Sequence, residues 1–409
     1  MKKVIAIVLG AALFAGAFSF HGAFLLDGPV MPNSSASAGM AGLRVLPPEE
    51  SSAGLWAPAC ISRGGLKISA GLGLAGMREE RSLPLFDSFD ERVGWTPYAA
   101  TSQTYPLYGI WLSYGLSGEW MPAFSAGYSQ VFDANYTYRE QVRLKDPPDR
   151  LLGTWSMDSE GALAGPTVAI REDVLGYGSV GLSATLLSGT IEMHRSPAAQ
   201  DSVVNNAEPW EAAFLADTAY SAELSGTMIS LSAVATPSDR WQIGLRWTPE
   251  VNLGESLYPD LLPGRVGLGV GYLPPGFVAS RVVVEFELVQ WSSLADEDGA
   301  FAEMADAWEF RLGLEHRITN NMPLRLGVYH YKVPLVEPVV RTGFTLGSGA
   351  VYNNVKLDFF GGWQMSTYYH HDQFPESWLP APYSTANREA DDRIHESLIL
   401  GGVTLAVEL

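Results

Sequence analysis

From about residue 240 onward the chain alternates in character from one residue to the next. Trp241, Ile243, Leu245 and Trp247 hold one parity, and Gln242, Gly244, Arg246 and Thr248 hold the other. Successive side chains of a strand point to opposite faces, so this period of two predicts a strand between an apolar medium and a polar one. The pattern recurs. Val266, Leu268, Val270 and Tyr272 oppose Arg265, Gly267, Gly269 and Gly271, and after the turn Pro274-Pro275-Gly276 comes a run in which Val282, Val284, Phe286 and Leu288 oppose Arg281, Glu285 and Glu287. Trp308, Phe310, Leu312 and Leu314 then oppose Glu309, Arg311, Gly313 and Glu315. Leu324, Leu326 and Val328 oppose Arg325, Gly327 and Tyr329, Val355, Leu357 and Phe359 oppose Lys356, Asp358 and Phe360, and a last strand runs from about Ile394 to Leu409. Upstream, Leu66, Ile68, Ala70, Leu72 and Leu74 oppose Lys67, Ser69, Gly71 and Gly73, with further strands predicted around 107–116, 121–131, 174–187 and 224–235. Residues 135–160 show no clear period, and the acidic segment Asp296 to Asp306 reads as a solvated loop, with a short helix as the alternative.

A soluble sandwich or propeller also has period-two strands, because one face packs on a core. Two features favour a membrane barrel. The polar parity carries full charges in strand after strand (Arg246, Arg265, Arg281, Glu285, Glu287, Arg311, Glu315, Arg325, Lys356, Asp358), as a lumen would. Aromatic residues gather near strand ends, at Trp241, Trp247, Tyr272, Trp291, Trp308, Tyr368 and Tyr369, where membrane interfaces place their girdles. The tally is roughly 13 to 15 strands of about 9 to 12 residues, the length a tilted strand needs to cross a bilayer. The expected fold class is all-β: a transmembrane antiparallel barrel of about 14 strands.

The 409 residues are 47% hydrophobic and 17% charged, which excludes a disordered chain. Acidic residues outnumber basic ones 45 to 26, and the net charge of −19 argues against nucleic acid as a partner. The single cysteine, Cys60, has no partner for an internal disulfide. Lys2 and Lys3 precede the uncharged apolar run Val4 to Phe20, followed by small residues, which predicts a secretory signal over 1–23 and hence export. A membrane anchor is the alternative, but the run is short and His21 and Asp27 follow closely. Residues 24–62 are rich in Gly, Ala, Ser and Pro and are expected either to plug the barrel or to form a flexible leader; residues 63–409 form the barrel.

Candidate chemistry is sparse. Tyr368, Tyr369, His370, His371 and Asp372 form the one histidine-rich cluster, but adjacent strand residues face opposite ways, so a solvated loop is expected rather than a metal site. His316 and His330 share the lipid-facing parity, and neither they nor His395 accompany a nucleophile motif, so no enzyme, metal or cofactor is expected. The lumenal arginines Arg246, Arg265, Arg281, Arg311 and Arg325 are candidate ligand contacts, Arg265 and Arg281 as bidentate partners of a carboxylate; the alternative is that they pair with charges on neighbouring strands.

The stretch Ser35 to Ser62, SASAGMAGLRVLPPEESSAGLWAPACIS, resembles the N-terminal hatch of the FadL-type outer-membrane transporters and the related PorV-like barrels. Gly39, Met40 and Gly42 match a glycine-methionine-glycine motif with Ala41 inserted. Ala57, Pro58 and Ala59, directly after Trp56, match an asparagine-proline-alanine motif with alanine in the first place. Arg265 to Val333 (GLGVGY, the pair Trp291-Ser292, WEFRLGLEHRI, MPLRLGVYHYKVP) and TGFTLGSGAVYNNVKLDFF are similar to later strands of the same superfamily; the chain ends in Leu409 where such barrels often end in an aromatic residue. The resemblance implies a barrel of 14 strands blocked by an N-terminal hatch in the outer membrane of a diderm bacterium. It also implies passive, hatch-gated uptake of hydrophobic molecules such as long-chain fatty acids or aromatic hydrocarbons. Outer-membrane lipids and the barrel assembly machinery are the further implied partners. For PorV-like members the implied role is a subunit or docking shuttle in protein secretion or surface attachment.

Overall fold

The computed structural model describes residues 34–409 except 90, 117–121, 145–149, 175, 200–217, 255–260, 277–278, 295–303, 320, 335–338 and 371–390. The expected signal segment, residues 24–33, most of the acidic loop, and His371 with Asp372 lie outside the described residues. Among those described, no helix is long and apolar enough to cross a membrane.

The strands are β1 (Gly65–Phe86), β2 (Arg92–Gly115), β3 (Ala123–Asp133), β4 (Tyr136–Leu144), β5 (Arg150–Val174), β6 (Gly178–Ala199), β7 (Thr218–Ser238), β8 (Trp241–Thr248), β9 (Val251–Asn252), β10 (Leu261–Leu262), β11 (Gly264–Tyr272), β12 (Ser280–Gln290), β13 (Ala307–Thr319), β14 (Met322–Lys332), β15 (Val340–Tyr352), β16 (Val355–His370) and β17 (Asp392–Glu408). All main pairings are antiparallel, strands lying beside their chain neighbours except at β3 and β4, which do not pair with each other, with β9 and β10 a separate small ladder. β1 pairs β17, and β3 pairs β5 as well as β2, so the sheet closes on itself. β5 pairs β3 through Ala162–Arg171 and β4 through Arg150–Ser159, so β3 and β4 are the two halves of one broken stave. The result is the expected closed barrel of 14 staves, the first paired to the last.

Connections distinguish the two ends. At the end holding Gly65 and Leu409 the turns include 239–240, 320–321 and 353–354; at the other end the connections include 200–217, 291–306 and 371–391. The two ends thus differ as a short-turn end and a long-loop end. Five strands, β1, β2, β5, β6 and β7, run for 21 to 25 residues, longer than expected. Their outward residues turn polar beyond the apolar band (Glu80, Ser102, Thr104, Glu160, Glu192). Ladder pairing needs no apolar face, so these strands continue above the membrane, and β4 and β5 occupy the region that showed no period.

The outer face is apolar as the alternation predicts: Trp241, Ile243, Leu245 and Trp247 are 45–52% exposed, whereas Arg246 between them is 1% exposed. Rings pair at both rims, Trp241 with Tyr272 (4.7 Å) at the short-turn end and Trp308 with His330 (5.2 Å) and Trp95 with Tyr369 (5.6 Å) at the long-loop end. The outward-facing histidines each meet a hydroxyl on the opposed residue: His316 and Ser280 (2.8 Å), His330 and Thr342 (2.7 Å) and, beyond the apolar band, His395 and Thr367 (2.9 Å). A polar ring facing lipid is thereby satisfied within the sheet.

Candidate functional site: a filled lumen with a seam in its wall

Residues 34–62 lie inside the short-turn half of the barrel, almost all of them buried. Ser34 caps a single helical turn, Ser35–Ala38, its hydroxyl accepting from Ser37 N (3.3 Å). The chain then reverses at Ala41 and Gly42, both with φ near +66°. The barrel wall seats this turn with glycines on its inward parity. A Cβ on Gly347 would lie 3.0 Å from the Gly39 Cα, one on Gly313 would lie 3.0 Å from the Met40 Cβ, and one on Gly244 would lie 2.7 Å from the Leu46 side chain. Ala59 and Pro58 press equally closely on Gly181, where a Cβ would fall 2.3 Å from backbone.

Hydrogen bonds hold what the glycines admit. The Glu285 carboxylate accepts from three successive amides, Arg44 N (2.8 Å), Val45 N (3.0 Å) and Leu46 N (2.6 Å). Thr345 accepts from Ala41 N (2.9 Å), and Ser232 accepts from Ala59 N (2.8 Å). Consecutive amides around one carboxylate form an anion nest, and burial strengthens each bond.

The five arginines singled out from the sequence all face inward, and the structure shows their partners. Arg265 bridges Glu287 (2.7 Å) and Glu309 (2.9 Å), Arg246 reaches Glu287 (2.7 Å), and Arg311 pairs Glu309, which also meets Arg44 of the inner segment (3.3 Å). Trp56 lies between the Arg44 and Arg246 guanidiniums, 5.1 and 4.9 Å from its ring. Arg281 donates to the carbonyls of Leu46 (3.0 Å) and Pro47 (3.3 Å), and Arg325 pairs Glu315 and Asp358, both at 2.7 Å. Arg246, Arg265 and Arg325 thus pair with carboxylates on other strands, Arg311 pairs within its own strand, and Arg281 holds carbonyls of the inner segment. Glu285, Glu287 and Glu309, visible on the same parity, complete the network and were not singled out.

Below the segment a cavity of about 520 Å³ opens to the short-turn end, lined by Arg63, Arg171, Arg281, Glu315 and Lys356 among others. Near it, Glu50 accepts from the Ser34 hydroxyl, and its backbone forms a bridge to Ile61 that closes the segment. Burial pushes the Glu50 carboxyl up to about 7, against the opposing pull of Lys356, Ser34 and Arg325, with Asp358 adding to the rise. A raised carboxyl pKa favours the seated state at low pH and weakens it as pH rises from the ordinary value towards 7. The segment is therefore expected to unseat more readily at pH 8 than at pH 5, and Glu50→Gln should flatten that dependence; labelling of the buried Cys60 thiol at the two pH values, normalised to free thiol reactivity, checks this.

The wall itself is broken on one side. β2 pairs β3 only through Gly109–Gly115; above that, Arg92–Tyr108 is laddered to β1 alone. The outward residues of β2 change at the same level from Tyr108, Ile110 and Leu112 to Thr104 and Ser102, which puts the seam at the outer border of the apolar band. Across it the Thr101 hydroxyl and the Gln103 amide both donate to the Thr137 carbonyl (2.7 and 2.5 Å). The break follows from Asp133-Ala134-Asn135, turn residues set within a strand. Asp133 accepts from Asn135 N (3.0 Å) and Nδ2 (2.7 Å), Ala134 N bonds Gly161 O (2.9 Å), and Ser129 to Asp133 are all buried where alternation would turn two of them outward. Inside, one apolar cluster joins Leu55 and Trp56 of the inner segment to Leu107, Val131 and Phe132 at the seam and to Met157, Ile191, Met193 and Met228 on the far wall. Facing it stand Glu79 with Arg81 (2.7 Å) and Tyr136 (3.1 Å), and Glu396 with Arg341 and Tyr368 (both 2.9 Å).

The closed barrel of 14 antiparallel staves has the fold of solved FadL-type proteins. Known solved structures show it in particular: the chain is similar to a Pseudomonas aeruginosa FadL homologue (12% identity, TM-score 0.62, 93% of this chain and 99% of that one). It is also similar to the toluene transporter TodX of P. putida (11%, 0.64, 93% and 99%) and to the toluene transporter TbuX of Ralstonia pickettii (14%, 0.60, 94% and 100%). No protein-family model and no curated protein sequence matches the chain.

Proposed function

We propose that the protein is an outer-membrane channel for the passive uptake of hydrophobic small molecules, with residues 34–62 as its hatch. The observation that carries this is the combination in one lumen of a seated segment filling the periplasmic half and a seam at the outer border of the apolar band, joined by one apolar cluster. A molecule entering from the long-loop end meets an apolar wall and has a sideways route into lipid, where its partition is most favourable. The lumenal arginines serve the hatch: their guanidiniums are spent on Glu287, Glu309, Asp358 and hatch carbonyls rather than on a ligand carboxylate. Toluene, the substrate in the names of TodX and TbuX, makes aromatic hydrocarbons the first compounds to try.

Native mass spectrometry with lipid extraction, on protein purified from the outer membrane in mild detergent, tests the reading. A stoichiometric apolar ligand displaced by competitors is the expected result. A tightly bound protein without such a ligand would favour a secretion-system subunit instead.

A further inference from the structure

On the outside of the barrel, where β16, β17 and β1 run side by side, the layer of lipid-facing side chains has a gap. Gly76, Gly401 and Gly361 all stand on the outward parity of their strands. Register sets them in a diagonal line: Gly76 opposes Ile399, and two residues along β17 Gly401 opposes Leu74 on one side and Gly361 on the other. Inner packing calls for glycine at none of the three. Beyond chain neighbours, a Cβ on Gly76 or Gly361 would meet nothing nearer than 3.9 Å, and one on Gly401 nothing nearer than 3.6 Å. Exposed Leu74, Ile399, Val403 and Phe359 stand around the bare backbone, and together with Gly76 and Gly401 they line an open groove of about 870 Å³.

Towards the long loops the lip of this groove is polar, formed by Arg78, Ser102, Thr104 and Ser397. Arg78 opposes both Ser102 and Ser397 across its two ladders, so three of these groups share one level. Ser397 Oγ accepts from Trp363 Nε1 (2.9 Å), which leaves its own proton to donate. Arg78 meets Glu80 through one nitrogen (3.4 Å) in an exposed pair, which is weak enough to loosen for a second anion.

We infer that the groove holds one acyl chain of a phosphate-bearing lipid, with the phosphate on Arg78 and the hydroxyls of the lip. The inference goes beyond the channel reading and does not depend on what the lumen carries. Bulk lipid tails are as apolar as the groove, so hydrophobicity alone would not retain one chain there. Packing does: a chain lying between Leu74 and Ile399 has partner atoms on three sides, and an unfilled gap forfeits those contacts. The lip supplies selectivity, because guanidinium and hydroxyls donate and phosphate oxygens accept. A second copy fits less well, since a two-fold contact on this face would set gap against gap.

The test is native mass spectrometry of the full chain in mild detergent, titrated with dioleoyl phosphatidylglycerol and with dioleoylglycerol, which has the same chains and no phosphate. One phosphatidylglycerol per chain, held at least fivefold tighter than dioleoylglycerol, is expected. Gly76→Leu and Gly401→Leu fill the groove and should each weaken both lipids at least fivefold. Arg78→Gln should weaken phosphatidylglycerol alone, and Arg240→Gln, in a turn at the short-turn end, should change neither. Arg78→Gln carries the test if a leucine variant loses the heat-dependent gel shift of a folded barrel. Equal retention of the two lipids by the parent, no retention of either, or binding that the folded variants leave unchanged overturns the inference. So does a dimer that Gly401→Leu dissolves; all of these outcomes leave the channel reading standing.

Discussion

Gly327→Val unseats the hatch and exposes Cys60 to a water-soluble maleimide. A Cβ at Gly327 would lie 2.1 Å from Ala41 N, 2.3 Å from Thr345 Oγ1 and 2.7 Å from the Met40 carbonyl carbon, so the collision is largely with hatch backbone. Overpacking of this sort costs about 1–3 kcal/mol, and displacing Ala41 forfeits its hydrogen bond to Thr345 at about 1 kcal/mol more. The seated-to-unseated ratio should fall roughly a hundredfold. Cys60 reports it cleanly. It is the chain's one cysteine, it is 5% exposed, and burial pushes its thiol up to about 12, so it is nearly inert while the hatch is seated. Glu285→Ala should reach the same state by another route, leaving three buried amides without their acceptor at about 1–3 kcal/mol each. Gly361→Ala is the control, since its nearest non-neighbour atom would be 3.9 Å away. Slow labelling of Gly327→Val, equal to the parent, would show that the hatch does not depend on this seat.

Cross-linking the seam should cut uptake of an apolar solute at least tenfold without disturbing the hatch. The Thr101 hydroxyl lies 2.7 Å from the Thr137 carbonyl, so cysteines at the two positions fall within reach of a short bifunctional maleimide. No ladder joins β2 to β4 there, so the two staves can part at the gap without breaking backbone pairing. Each single cysteine variant, treated identically, should transport normally. Unchanged uptake in the cross-linked protein would move the exit to the periplasmic side.

The barrel was legible because its environment is two-sided: lipid outside and charge inside impose one period from Trp241 to Phe360, and the outward histidines fell on the parity expected. The hatch seat was only half legible. Gly244, Gly313, Gly327 and Gly347 stand on the inward parity, but that their missing side chains make room for Leu46, Met40, Ala41 and Gly39 depends on contacts spanning some 200 to 300 residues. The lumenal arginines were placed on the correct face, while their roles were set by glutamates on the same parity and by hatch carbonyls. The seam left no pattern at all, since it consists of a ladder that is absent, beside a strand broken at Asp133-Ala134-Asn135, where the stretch without a period begins.

The central claim is passage of apolar molecules, and the most direct measurement is uptake of naphthalene into vesicles whose outer leaflet carries lipopolysaccharide, with and without the purified protein. Uptake at least tenfold faster than in protein-free vesicles, with no acceleration for sucrose, is the expected result. A correctly inserted, heat-modifiable barrel that leaves naphthalene uptake at the protein-free rate would contradict the account.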